Sequence, residues 1–358
     1  MGARFALLLC LSLHAMSIGC ASRPPQPTSV PSPAGPSAPQ AVAPASEARD
    51  GTRRAAPRVR LIATGGTISN RAGGRLTAEE LVTSIPALAH YATAEFEQFA
   101  NIASSQLTLE QWLSLARRIN DLCRTDRALA GVVVTSGTDT LEELAYFLNL
   151  TVRDERPVVV VGSMRNPSTI GYEGAANLVE GFRVAADPAS RRRGVMVVLN
   201  EEINAAREVT KTDALRLQTF QTRGYGILGV VDADRVVYYR RSERRHTADS
   251  EFDVATIAQL PRVDVLLTYQ GASGDLIKAA VDAGARGIVV ATAGAGAMSG
   301  TQVDGVRYAT ARGVVIVSTT RAGSGRIAGS RTSGTVAGED LAPIKARILL
   351  MLALTKTR

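Results

Sequence analysis

Three short stretches combine residue types that can do covalent chemistry. The first, Ala63-Thr-Gly-Gly-Thr-Ile68, puts a threonine hydroxyl directly after two glycines that close an apolar run. Such glycines let backbone amides approach a ligand and form an anion-binding nest beside Thr67. The second, Val134-Thr-Ser-Gly-Thr-Asp-Thr-Leu-Glu-Glu143, crowds hydroxyls and carboxylates into one loop. The third, Arg207-Glu-Val-Thr-Lys-Thr212, carries one of only four lysines among 41 basic residues. A lysine kept in that arginine background marks a place where arginine would not serve, since only lysine can shed its proton in a buried site. A hydroxyl is a weak nucleophile at neutral pH and needs a base. Thr67, Thr138, Asp139 and Lys211 therefore form a coherent set. Thr67 attacks, Lys211 takes the proton directly or through Thr138, and Asp139 orients the lysine. Asp139 also favours the charged lysine, so desolvation must win if Lys211 is to be the base. Each stretch has an architectural reading too. Gly65-Gly66 suits a tight strand exit, Lys211 a surface position, and Thr138 or Asp139 a helix N-cap with Glu142 near N3.

Other chemistries find little support. The histidines are His14, His90 and His246, and the cysteines Cys10, Cys20 and Cys123, without HExxH or paired-Cys spacing. No metal or cofactor is expected, and a Ser-His-Asp hydrolase would rest on His90 or His246. The formal charge of +8 comes from scattered arginines. The densest runs, Arg191-Arg192-Arg193 and Arg240-Arg241-Ser242-Glu243-Arg244-Arg245, lack interleaved aromatics and read as solvated loops, not as a nucleic-acid surface. Neither GxGxxG nor GxxxxGK[ST] occurs, which argues against a nucleotide-binding domain.

The elements that must hold these loops follow from the apolar runs. A chain of 358 residues, 45% hydrophobic and 21% charged, is an ordinary globular composition too long for one small core. Near-continuous β-branched runs at 59–63, 131–135, 157–161 and 194–199, then at 263–268, 287–291 and 313–318, predict strands buried on both faces. Helical periodicity covers 109–122, 141–150, 275–283 and 343–354. The expected fold is α/β: a larger N-terminal domain (58–239) with a mostly parallel sheet, a connector (240–261), and a smaller C-terminal α/β domain (262–358). In such sheets ligands lie beyond the carboxyl ends of the strands, where the loops after Ala63, Thr135, Val161 and Thr268 emerge.

The first 57 residues have a different character. Phe5 to Ile18 is apolar but shorter than the ~20 residues that span a bilayer, and it reads as a signal-peptide core. Ser17-Ile18-Gly19-Cys20 is a partial match to a bacterial lipobox, with Ser17 in place of the usual Leu. Lipidation at Cys20 is the favoured reading, and simple secretory cleavage nearby is the alternative. Residues 21–57 hold nine of the fifteen prolines and read as a disordered linker. As a coil it spans roughly 35 Å, and about 115 Å if wholly polyproline II. The reading is a periplasmic, membrane-anchored lipoprotein that meets the membrane only through its lipid.

Taken together, Thr64-Gly-Gly-Thr-Ile68, Gly137-Thr-Asp-Thr-Leu-Glu-Glu143, Val161-Gly-Ser-Met-Arg165 and Val209-Thr-Lys-Thr212 resemble the bacterial type II L-asparaginases of the asparaginase/glutaminase family. The likeness runs from about Arg58 to Arg358 and includes Lys345-Ala-Arg-Ile-Leu-Leu350. It implies hydrolysis of L-asparagine, and possibly L-glutamine, without cofactor or metal. It also implies a homotetramer, a dimer of dimers with sites between subunits. Thr67 matches the family's nucleophile, and Thr138, Asp139 and Lys211 its Thr-Lys-Asp group, with Asp139 also gripping the substrate's α-amino group. Ser104 and Ser105, in Asn101-Ile-Ala-Ser-Ser105, match a loop that contacts the α-carboxylate, and Gly66 joins the substrate-binding set. The amides of Thr67 and Ser163 stand where the family builds its oxyanion hole.

Several positions depart from the family pattern. The flap Ser69–Thr77 is short, lacks the family's Tyr, and carries Gly73-Gly74, which favour mobility; a first helix opens near Thr77-Ala-Glu-Glu80 with capping-box spacing. Ser105 replaces Gln or Glu, Ser136 replaces His, and Gly271 stands where a neighbouring subunit often offers Asn. An acidic residue is missing from 326–333. Cys123 matches half of a family disulfide whose other half is Asp154 here, which implies a free thiol. Slow turnover follows from the altered flap. Two rival readings share the fold: a catalytically degenerate amino-acid-binding surface protein, and an amidotransferase subunit acting on misacylated tRNA, which an exported chain would not meet.

Overall fold

A computed structural model of the chain describes residues 55–329 and 331–356. The leader, Cys20 and nearly all of the proline-rich stretch lie outside the described residues. Eight strands build the larger sheet: β1 (Arg58–Gly65), β2 (Thr93–Ile102), β3 (Leu129–Thr135), β4 (Val158–Val161), β5 (Val195–Leu199), β6 (Glu202–Ala205), β7 (Gly229–Val231) and β8 (Val236–Tyr238). Their order is β8-β7-β6-β5-β4-β3-β1-β2. The strands from β2 to β5 pair in parallel, and β6 to β8 extend the sheet antiparallel. The architecture is thus two α/β units, the larger with a mostly parallel sheet.

Both faces of this sheet are covered, which is why its strands read as unbroken apolar runs. Alternate side chains serve opposite cores: Val132, Val134, Val158 and Val160 join one cluster, while Val133, Val159 and Val161 join the other. Helices α2 (Leu109–Thr125) and α3 (Leu141–Thr151) cover the first face, and α1 (Ala78–Thr83) and α4 (Gly174–Ala186) the second. Thr77 and Glu80 form the capping box expected for α1, and Thr108 and Gln111 form another on α2.

Elements with mixed polarity escape an apolar-run reading. Strand β2 alternates charge with apolar residues because it is an edge, where Glu95 pairs with Arg58 at 2.6 Å and Arg60 at 2.5 Å. The arginine runs are only partly solvated loops. Arg193 is buried with its guanidinium 3.6 Å from the Tyr238 ring centroid, and Arg240 pairs with Glu208 at 2.6 Å. These arginines meet aromatic and carboxylate partners within the fold, so packing accounts for them.

The smaller sheet has β9 (Val263–Leu267), β10 (Gly287–Thr292), β11 (Val315–Thr320) and β12 (Thr335–Ala337), all parallel and in that order. Helices α5 (Asp275–Asp282) and α6 (Gln302–Thr310) cover one face. Helix α7 (Pro343–Leu354) covers the other and merges with the α2–α3 core of the larger unit. No helix among the described residues is long and apolar enough to cross a membrane.

Candidate active site

Register sets the site. Ala63 lies level with Thr135, and Thr135 with Val161, so three loops leave the sheet side by side. Thr64 Oγ1 donates to the Thr135 carbonyl at 2.7 Å, and the Thr64 amide donates to Thr135 Oγ1 at 3.2 Å. Both residues are buried, which fixes the relative height of the two loops.

Gly66 makes the junction possible. Its φ is +89°, and a Cβ there would lie 2.2 Å from the Gly137 amide nitrogen. Only glycine tolerates both that backbone region and that approach. The turn Thr67–Ser69 follows immediately, with Thr67 half-buried at its start. The Thr67 hydroxyl has no hydrogen bond to another described residue, so it is uncommitted within the fold.

Thr138 and Asp139 occupy the loop between β3 and α3. Neither caps the helix. Thr140 is the N-cap, it makes no side-chain capping bond, and its amide donates to Ser104 Oγ at 3.3 Å. Thr138 and Asp139 instead meet Lys211, which projects from the small hairpin 210–211/220–221. Lys211 Nζ donates to Thr138 Oγ1 at 3.1 Å and to Asp139 Oδ1 at 2.9 Å. Thr138 is buried and the Lys211 side chain is 16% exposed, whereas that of Asp139 is 75% exposed. An ion pair so open to water contributes at most about 1 kcal/mol to stability. Its consequence is geometric: it fixes the ammonium beside a buried hydroxyl.

The remaining expected residues lie around this group with unequal involvement. Ser104 is buried in a turn after β2, and a Cβ on Gly137 would come within 2.9 Å of its hydroxyl. Ser105 is exposed and without a side-chain bond to another described residue. Ser163 is buried and its hydroxyl donates to the Arg165 carbonyl at 2.6 Å. Gly162, just before it, sits where a Cβ would be 3.4 Å from Thr138 Cγ2. His90 is exposed, and His246 Nδ1 lies 2.9 Å from Thr247 Oγ1. Among the described residues, no cluster of His, Cys, Asp or Glu could hold a metal ion.

Sequence reasoning passed over several supports. Tyr172 donates its hydroxyl to the Ile68 carbonyl at 3.0 Å, one residue past Thr67. The flap is a tight hairpin, 70–71 paired with 74–75, and its tip is docked: the Ala72 amide donates to Ser168 Oγ at 2.9 Å. Glu142 does not close a capping box; its carboxylate accepts from Thr210 Oγ1 and from the Lys211 amide, both at 3.0 Å. Behind it, Lys345 is 1% exposed, and burial pushes its ammonium down to about 8. The signal for Lys345 was available, since it is another retained lysine, set in a largely apolar helix whose other charged residue is Arg347. A cavity of about 840 Å³ opens beside Lys211, with Arg223, Tyr225, Arg321 and Asp340 in its wall.

Comparison with known proteins bears on this arrangement. Residues 58–244 match the family model for the asparaginase N-terminal domain, and 262–358 that for the glutaminase/asparaginase C-terminal domain. The chain belongs to the asparaginase family. L-asparaginase 2 of Bacillus subtilis is 40% identical over 87% of this chain and 86% of its own length. A probable periplasmic L-asparaginase of Haemophilus influenzae is 39% identical over 84% of this chain and 90% of its own. A solved structure of a probable cytoplasmic L-asparaginase from Campylobacter jejuni superposes with a TM-score of 0.80 at 38% identity, covering 84% of this chain and 95% of that one.

Cys123 is a buried free thiol. Arg156 grips Asp154 through two bonds of 2.8 Å, donates to the Asp126 carbonyl at 2.7 Å, and also donates to the Cys123 carbonyl. A guanidinium thus ties the end of α2 to the turn 154–156.

Proposed function

We propose that this chain hydrolyses the side-chain amide of L-asparagine to L-aspartate and ammonia through an acyl-enzyme on Thr67. The observation that carries the reading is Lys211 Nζ at 3.1 Å from Thr138 Oγ1 and 2.9 Å from Asp139 Oδ1, on the loop that packs against the Gly66–Thr67 turn. Thr67 Oγ1 attacks the amide carbon, and its proton passes to Lys211, directly or through Thr138. The amides of Thr67 and Ser163 receive the negative charge on the carbonyl oxygen. That proton then goes to the departing nitrogen, ammonia leaves, and water cleaves the Thr67 ester to free aspartate and the hydroxyl. Asp139 holds the substrate's α-amino group, and Ser104 and Ser105 hold its α-carboxylate, with Gly66 lining the floor.

Support for this substrate comes from membership of the asparaginase family and from relatives that carry the asparaginase name along most of this chain. Glutamine is the second substrate in this reading. The active form is a homotetramer, exported and tethered to the membrane by a lipid on Cys20. Named relatives include both a periplasmic and a cytoplasmic protein, so the export reading rests on the leader sequence. The test is ammonia release by the purified protein from L-asparagine, L-glutamine and D-asparagine. Turnover of L-asparagine supports the proposal; binding of L-asparagine or L-aspartate without ammonia release refutes it in favour of a binding protein.

A further inference from the structure

Two oppositely charged side chains are buried between α3 and α7. Glu142 is 6% exposed and Lys345 is 1% exposed, and their Oε2 and Nζ atoms stand 3.8 Å apart. Each grips the same short segment from a different side. Glu142 Oε1 accepts from Thr210 Oγ1 and from the Lys211 amide, both at 3.0 Å. Lys345 Nζ donates to the Ala206 carbonyl at 2.9 Å and to the Val209 carbonyl. Four atoms of the stretch 206–211 are therefore held by two side chains that hold each other.

Stability does not account for this pair. An apolar residue of similar volume would suit this stretch of α7, where Ile344, Ala346 and Ile348 flank Lys345 and Arg347 is the other charged residue, at a smaller desolvation cost than a buried ion pair. What the pair fixes is position. Lys211 follows the last clamped carbonyl by two residues, and its ammonium must reach both Thr138 and Asp139. Displacing the backbone at 209–211 would shift the ammonium relative to that fork, and misplaced reacting groups lose rate steeply.

We propose that Glu142 and Lys345 are positioning residues that hold Lys211 at its distance from Thr138 and Asp139, so that the smaller unit, through α7, sets the geometry of a group in the larger one. This rests on Lys211 belonging to the active site. The residues facing Lys345 are Glu142 on α3 and Arg207 and Glu208 on the clamped stretch. Arg207 is already engaged by Asp340 at 2.6 and 2.8 Å, and Glu208 by Arg240 at 2.6 Å, which leaves Glu142 as the partner of the lysine.

The experiment is a double-mutant cycle on the full chain, reading kcat and KM for ammonia release from L-asparagine, with far-UV circular dichroism to verify folding. Glu142→Ala is expected to lower kcat roughly 10- to 100-fold with KM changed only a few-fold. Glu142→Gln, which keeps the acceptor oxygen, recovers most of that loss. In a Lys211→Met background, Glu142→Ala costs nothing further, because it acts through Lys211. Equal fold-losses in both backgrounds, or full turnover by folded Glu142→Ala, overturn the proposal. If Glu142→Ala does not fold, Lys345→Met carries the same expectations and the same overturning result. Lys211→Met with unimpaired turnover points elsewhere: it defeats the reading of Lys211 itself.

Discussion

Lys211 Nζ bridges Thr138 Oγ1 and Asp139 Oδ1 at 3.1 and 2.9 Å, although 73 and 72 residues of chain separate it from them. One flexible cation thereby meets a buried hydroxyl and an exposed carboxylate. That fork suits a compact ammonium with rotatable N–H donors.

Lys211→Arg tests this fit. A guanidinium keeps the charge and the link to Asp139 but cannot give up a proton and is too broad for the same fork. We expect kcat to fall at least about 100-fold, with KM changed less, since general base catalysis supplies about 10²–10⁴. Steady-state ammonia release measures it. Retention of most activity would make the lysine an electrostatic element only.

Tyr172 gives a second test, close to the nucleophile. Its hydroxyl is the bond that holds the Ile68 carbonyl, at 3.0 Å. Tyr172→Phe removes one neutral hydrogen bond, about 1 kcal/mol, or about five-fold in kcat if the turn at Thr67 loosens by that amount. Unchanged kcat would mean that the turn is held by its backbone alone.

Much of this was legible in the chain, for physical reasons that differ by element. Strands β3, β4 and β5 bury both faces, so nothing polar interrupts them and they announce themselves. Helix α7 was readable to its ends because Pro343 starts it and apolar residues occupy every turn. Edge strand β2 hid behind its own charges. Helix α4 hid because Gly174 and Gly181 lower its propensity; a Cβ at Gly181 would lie 2.6 Å from Val161 Cγ1, so close packing on β4 requires the glycine. At the site, Thr67, Thr138, Asp139 and Lys211 stood out by residue type and loop position. The pairing of Glu142 with Lys345 did not, because it spans 203 positions and depends on how α3 and α7 pack.

The free thiol should be inert in the folded protein. Burial pushes Cys123 up to about 12, with the nearby Asp154 carboxylate adding to the shift. At neutral pH a thiol-alkylating reagent should leave Cys123 unmodified in native protein and label it fully after denaturation, as read by peptide mass. Rapid labelling of native protein would contradict the packing around Arg156 and Asp154.

Acid should loosen the contact between α7's approach and the Lys211 segment. Arg207 bonds both oxygens of Asp340, and the Tyr225 hydroxyl donates to it at 2.7 Å; together they hold its carboxyl well below the ordinary value of 3.8. The folded state thus binds fewer protons than the unfolded one, so this contribution is complete above 3.8 and is lost as pH falls through the lower folded value. Denaturant midpoints taken at neutral pH and in steps below 3.8 should fall less steeply for Asp340→Asn than for wild type, from a lower starting stability. Parallel pH profiles for the two proteins would remove Asp340 from the account.

The central claim is that Thr67 is the nucleophile, and Thr67→Ala addresses it most directly. The substitution deletes one uncommitted hydroxyl and leaves Thr138, Asp139, Lys211, Ser104 and Ser105 untouched. Steady-state kcat for ammonia release from L-asparagine should drop by at least about 10³-fold, while L-aspartate, measured by calorimetric titration, still binds within a few-fold of its wild-type affinity. Ammonia release within about ten-fold of wild type by the Thr67→Ala protein would contradict it.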